Sequence, residues 1–153
     1  MRGAQMPWVI SFIVSWILFL FLVDKASLKT NIFGGLLALV LASIVDWGGQ
    51  KLELYTFKDV IIPWFSCSAF YKFGPILTMG TLFSQSVPSK KGWQALNIFI
   101  FTIIYLMLEY ITILSGVAEY KHWHILASFI VDILALSSLT WFTLVFLRKS
   151  RSS

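Results

Sequence analysis

Three ionisable residues stand inside otherwise apolar stretches of this sequence: Lys72, Glu109 and Asp132. A charge at the centre of a bilayer costs about 2.5–3.5 kcal/mol on insertion scales, so such groups face a protein interior, where they pair or mark a pathway. One lysine neutralises only one of two carboxyls. The expected pair is therefore Lys72 with Glu109 or with Asp132. The other acid is either protonated, because burial disfavours its charged form, or neutralised by an ion or solute.

Helical spacing supplies neighbours for these groups. Thr102, Tyr105, Glu109, Thr112 and Gly116 recur at steps of three and four, a polar stripe along one helix face. His124, Ser128 and Asp132 recur at steps of four. Gly34, Ala38 and Ala42 form a small-residue ridge whose face ends at Asp46, and it is read as packing within the chain ahead of dimerisation. Counted from the expected helix ends, Glu109 lies about 9 Å deep, Asp132 about 12 Å and Lys72 about 18 Å, close enough in depth for contact. The candidate ion or ligand site is accordingly Lys72, Glu109, Asp132, Asp46, Tyr105, Ser128 and His124, lining one cavity. The competing reading is a closed ion-pair and hydroxyl network that fixes helix register, with interhelical polar contacts worth about 0.6 kcal/mol each on average.

Other chemistries find less support. Glu119, His122 and His124 sit close in sequence but lack a recognised metal-ligand spacing, and no metal or cofactor is expected. His124, Ser128 and Asp132 have triad residue types, yet successive members on a straight helix rise about 6 Å apart, too far for a hydrogen-bonded relay. Cys67 is the single cysteine and has no evident base beside it, so it reads as an inert buried thiol. With no nucleophile and base set, an enzyme is not expected.

The elements that must position these residues are membrane helices. Hydrophobic residues make up 58% of the chain and charged ones 12%, about half the charged share of a soluble domain. The expected fold class is all-α: an integral membrane bundle of about five transmembrane helices in a single domain over 1–153. The expected spans are 7–23, 31–47, 60–86, 94–115 and 124–147. The first is read as a retained span, because only Arg2 precedes it and no small-x-small cleavage site precedes Asp24. The third contains Pro63, Gly74, Pro75 and Gly80, so a kink or break is expected near Gly74 and Pro75. A proline there requires neighbouring protein to satisfy the freed backbone. The polar run Gly48 to Lys58 is expected to lie at the interface.

Under five spans, Lys25, Lys29, Lys90, Lys91, Arg148, Lys149 and Arg151 share one side, against Arg2, Lys51, Lys58 and Lys121 on the other. The positive-inside rule then places the C-terminus in the cytoplasm and the N-terminus outside. The acids Asp46, Glu53, Asp59, Glu109, Glu119 and Asp132 gather toward the outer half, with only Asp24 inside. Trp8, Trp47, Trp64 and Trp123 fall near the outer ends, and Trp93 and Trp141 near the inner, as interfacial belts do.

The run from Tyr105 to Trp123, with Glu109, Tyr110, Gly116, Tyr120 and Trp123, followed by Ser128, resembles a family of small polytopic membrane proteins of spore-forming Gram-positive bacteria. Asp46 and the Leu54-Tyr55 segment are similar too, so the resemblance covers about two-thirds of the chain. It implies a bacterial plasma membrane and points to no particular activity.

Two functions follow as expectations. One is a binding or transport-type protein with an outer-half cavity for a cation, proton or small solute. The other is an accessory or assembly subunit, packed against a membrane-protein partner or a second copy, with structural polar residues. The lipid bilayer is the expected surrounding, in a multi-pass plasma-membrane location. The basic excess of the chain sits at helix ends and in the tail, where it meets lipid headgroups, so no nucleic-acid partner is expected.

Overall fold

The computed structural model describes residues 5–148. Arg2, Lys149 and Arg151, which enter the charge count above, lie outside the described residues. The chain runs α1 (Met6–Leu22), α2 (Leu28–Lys51), β1 (Tyr55–Phe57), β2 (Pro63–Trp64), β3 (Cys67–Ser68), α3 (Ala69–Tyr71), a π-helical stretch (Lys72–Ile76), α4 (Leu77–Ser86), α5 (Lys91–Leu114), β4 (Ala118–Tyr120) and α6 (Ile125–Phe142), which ends in a second π-helical stretch (Thr143–Leu147). It is a helical bundle. Three helices are long and apolar enough to cross a membrane: Leu28–Lys51, Lys91–Leu114 and the continuous Ile125–Leu147. The helix α1 is apolar but shorter, at 17 residues.

Glycine sets the closest approach in the bundle. A Cβ on Gly80 of α4 would lie 2.5 Å from the Ala38 Cβ and 3.1 Å from the Gly35 Cα of α2. Small residues let two helix backbones meet, and the ridge of Gly34 and Ala38 is spent on this internal contact. Around it packs the main core of Ala38, Leu39, Ile76, Leu77, Phe83, Val87, Leu136 and Leu139.

At one end, side chains tie turns to helix termini. Gln85 accepts the Asp24 N–H at 2.8 Å and donates to the Leu22 carbonyl at 3.1 Å. Arg148 donates to Ser89 Oγ at 3.0 Å and to the Val87 carbonyl, joining the end of α6 to the turn between α4 and α5.

The other end differs from the all-helical expectation. The expected span 60–86 is helical only from Ala69, because Pro63–Trp64 pairs antiparallel with Cys67–Ser68 across a two-residue turn. Phe65 and Ser66 in that turn both have positive φ, 43° and 71°, the signature of the tight hairpin turn that matches strand twist. The polar run Gly48 to Lys58, expected at the interface, carries regular structure. Its first part extends α2 to Lys51, and Tyr55–Phe57 forms a strand against Ala118–Tyr120.

The break expected near Gly74 and Pro75 takes the form of the π-helical turn, which contains Pro75. A helix that cannot use a proline N–H widens by one residue. Neighbours supply polar contacts there: the Trp16 indole N–H donates to the Phe73 carbonyl at 3.1 Å, and Thr78 donates to the Gly74 carbonyl at 2.8 Å.

Trp8 is not an interfacial anchor. It is fully buried in a small second core with Cys67 and Val117, and its indole N–H donates to the Lys58 carbonyl at 3.2 Å. Trp47, Trp93 and Trp141 are exposed, as belt residues are.

Candidate functional site

The two-stranded sheet of β1 and β4 roofs a cavity between α2, α5 and α6. Its register pairs Tyr55 with Tyr120, Thr56 with Glu119 and Phe57 with Ala118. Strand side chains alternate between faces, so Tyr55, Phe57, Ala118 and Tyr120 all look inward and line the cavity. Thr56 and Glu119 are on the outer face, where Lys58 pairs with Glu119. The hydrogen bond from Lys58, followed by its charge, holds the Glu119 carboxyl below the usual range. Both partners are half exposed, and such pairs contribute little to stability.

The roof is hinged at α5 by a helix-ending motif. Gly116, at φ +74°, follows the last turn. Its N–H bonds the Ile113 carbonyl at 2.9 Å, and the next N–H, of Val117, bonds the Thr112 carbonyl at 3.2 Å. This paired bonding with a left-handed glycine is the Schellman ending. Gly116 therefore belongs to the turn and not to the polar stripe.

Below the roof the cavity, of about 150 Å³, has an acidic and aromatic wall and an apolar floor. Asp46, Glu109 and Asp132 line it with Tyr55, Tyr71, Tyr105, Tyr120 and Trp123; Ala38, Ile76, Leu136 and Leu139 lie deeper. Of the candidate residues, Asp46, Tyr105, Glu109, Ser128 and Asp132 are brought together here.

Lys72 pairs with Asp46, and not with Glu109 or Asp132 as expected. Its side chain is 0% exposed and Asp46 is 16% exposed. Tyr55 completes the arrangement by donating to the second Asp46 oxygen, Oδ1, at 3.0 Å. Burial, with Asp46 as the next cause, raises the Tyr55 hydroxyl far above its ordinary range, so it remains a donor. The reason for the changed partner lies in the close crossing of α2 over the π-helical segment and α4, which sets Lys72 against the end of α2.

Glu109 is held as an acceptor. Ser128 donates to its Oε1 at 2.7 Å, and the Tyr120 hydroxyl donates to the same oxygen. The Trp123 indole N–H donates to Ser128 Oγ at 2.7 Å, and the Tyr120 hydroxyl lies 3.2 Å from the same Oγ, so Ser128 joins both aromatic residues to Glu109. Burial first, then the Glu109 hydrogen bond, raises Tyr120 well above the ordinary tyrosine range.

Asp132 has no hydrogen-bond or ion-pair partner among the described residues, and neither do the hydroxyls of Tyr71 and Tyr105. All three residues line the cavity. Polar groups withdrawn from bulk water need partners, and here they face a shared space.

His124 does not join the site. It is exposed and precedes α6 in an extended conformation, φ −131° and ψ 149°, so helical spacing to Ser128 does not apply. Among the described residues, no group of three or more His, Cys, Asp or Glu is placed to hold a metal ion.

Sequence reasoning missed Tyr55, Tyr71, Tyr120 and Trp123 as members of one site. The available signal was the alternation in Tyr55-Thr56-Phe57 and Ala118-Glu119-Tyr120 between helices. No family model matches the chain, and no curated protein or solved structure matches it.

Proposed function

We propose that this chain is a multi-pass plasma-membrane protein of the binding or transport type, whose cavity takes a cation, a proton or a small solute at its acidic wall. The observation that carries this reading is Asp132. It faces the cavity without a partner among the described residues, while Asp46 is neutralised by Lys72 and Glu109 is held by hydroxyls. A purely structural network would close its polar contacts, since a half-satisfied buried network is worse than an apolar core.

Carboxyl modification tests it. In the purified protein, a water-soluble carbodiimide with glycine methyl ester should modify Asp132 before unfolding, and Asp46 much more slowly, as read by peptide mass spectrometry. Asp132 unreactive until the protein is denatured would indicate a closed structural network and overturn the binding reading.

The orientation we propose has five passes, with the roof of β1 and β4 outside and the turn between α4 and α5 in the cytoplasm. It rests on the Lys and Arg bias between loops. In a Cys67→Ala background, Lys121→Cys should be labelled in intact cells by a membrane-impermeant maleimide, and Ser89→Cys should not be labelled until the cells are permeabilised. The reverse pattern would invert the orientation.

A further inference from the structure

We propose that the ligand of this cavity is a small organic monocation: an ammonium group carried on a ring-sized or short-alkyl apolar body. The proposal rests on the binding reading above and narrows its ligand.

The donor set argues against an inorganic ion. Hard divalent cations require about six to eight oxygen ligands, or a rigid octahedron of them. Of the wall acids, Asp46 is already engaged by Lys72 and Tyr55, and Glu109 Oε1 by Tyr120 and Ser128. That leaves three carboxylate oxygens, two of Asp132 and one of Glu109, with the Tyr71 and Tyr105 hydroxyls to line the space, enough for one ammonium and short of the roughly six to eight ligands of a dehydrated calcium ion. With Lys72 paired to Asp46, Glu109 and Asp132 are the acids left to the cavity, and a cation seated between them favours the ionised form of the carboxyl it meets.

Aromatic faces point the same way. Tyr55, Tyr71, Tyr105, Tyr120 and Trp123 line the cavity with Phe57, and organic ammonium ions are held over such rings by the quadrupole of the π-system. A strongly hydrated metal ion gains little from a ring wall. The hydroxyls of Tyr71 and Tyr105, unpartnered among the described residues, are further acceptors for N–H groups.

Size and floor specify the rest. About 150 Å³ is the volume of an engineered apolar cavity that accommodates benzene. The floor of Ala38, Ile76, Leu136 and Leu139 offers no polar side chain, so the body beneath the ammonium is apolar. The charged head meets Asp132 and Glu109, and the body points toward Leu139.

Calorimetric titration of the purified protein with phenethylammonium, 2-phenylethanol, sodium and calcium chlorides decides the matter. The ammonium should bind at least tenfold more tightly than the alcohol of the same shape, and neither metal salt should compete with it. Asp132→Asn, which removes no hydrogen bond of the fold, should weaken ammonium binding at least tenfold and leave the alcohol unaffected. Equal affinity for ammonium and alcohol, or displacement by calcium at stoichiometric concentration, would overturn the proposal, and the comparison on the unaltered protein needs no variant to fold. Carbodiimide reactivity at Asp132 separates the two failures. A reactive Asp132 with no ammonium binding sinks the ligand class alone, and an unreactive one sinks the binding reading beneath it.

Discussion

Replacing Lys72 by methionine should destabilise the protein by about 3–5 kcal/mol, the usual cost of stripping one partner from a buried ion pair. Lys72 is fully buried against Asp46, so the variant leaves a carboxylate with only the Tyr55 hydroxyl to face. For a chain of this size that loss lowers the melting temperature by roughly 10 °C. The double variant Lys72→Met with Asp46→Asn should recover most of it, since no lone charge remains and the Asn oxygen still accepts from Tyr55. Adding Glu109→Gln or Asp132→Asn to Lys72→Met should recover nothing, because Asp46 stays unpaired. Melting curves in detergent in which Glu109→Gln or Asp132→Asn rescues, and Asp46→Asn does not, would reassign the pair.

The second large effect lies at the crossing of α2 and α4. A Cβ on Gly35 would fall 2.2 Å from Thr81 Oγ1 and 2.5 Å from the Leu77 carbonyl oxygen. A hydroxyl can turn away, but a helix backbone has to move. Gly35→Val should therefore cost about 1–3 kcal/mol or more, as overpacking does, and because Lys72 is positioned by the same crossing, it should also weaken the pair with Asp46. Gly48→Ala is the internal control. No described residue lies within 4 Å of its Cβ position, and a helical glycine replaced by alanine gains about 0.8–1.0 kcal/mol of propensity. A Gly35→Val protein that melts with the parent would mean that the helices do not approach this closely in solution.

The helical character of the chain was legible from composition and run length alone. Burying so much apolar surface over such lengths leaves few alternatives to helices that satisfy their own backbone bonds. The proline effect was legible as a disturbance near Gly74 and Pro75, because a missing N–H disturbs a helix in any context. The extent of the third helix was not. Val60 to Ser68 is apolar enough to read as helix, and only the positive φ values at Phe65 and Ser66 reveal the hairpin that delays the helix to Ala69.

For the site, spacing identified the residues that share a helix face and could not identify what faces them. Tyr105, Glu109 and Thr112 do line one cavity, and Ser128 with Asp132 comes to meet them, because the 3.6-residue period is a local property of the chain. His124 failed as a site member because it stands before the helix whose period was applied to it. The roof was illegible for a different reason. Strands of three residues carry one alternation each, too little pattern to predict a pairing between segments more than sixty residues apart.

The sequence by itself determined that apolar helices carry a few buried charges and that most of the acids lie toward one end, since burial cost and helical period depend on residue type and order alone. Only the tertiary structure decided which acid the lysine meets and which is left facing the cavity. That choice depends on how closely α2 can approach α4 at Gly35 and Gly80, which sets Lys72 against Asp46, and this is a contact between distant segments.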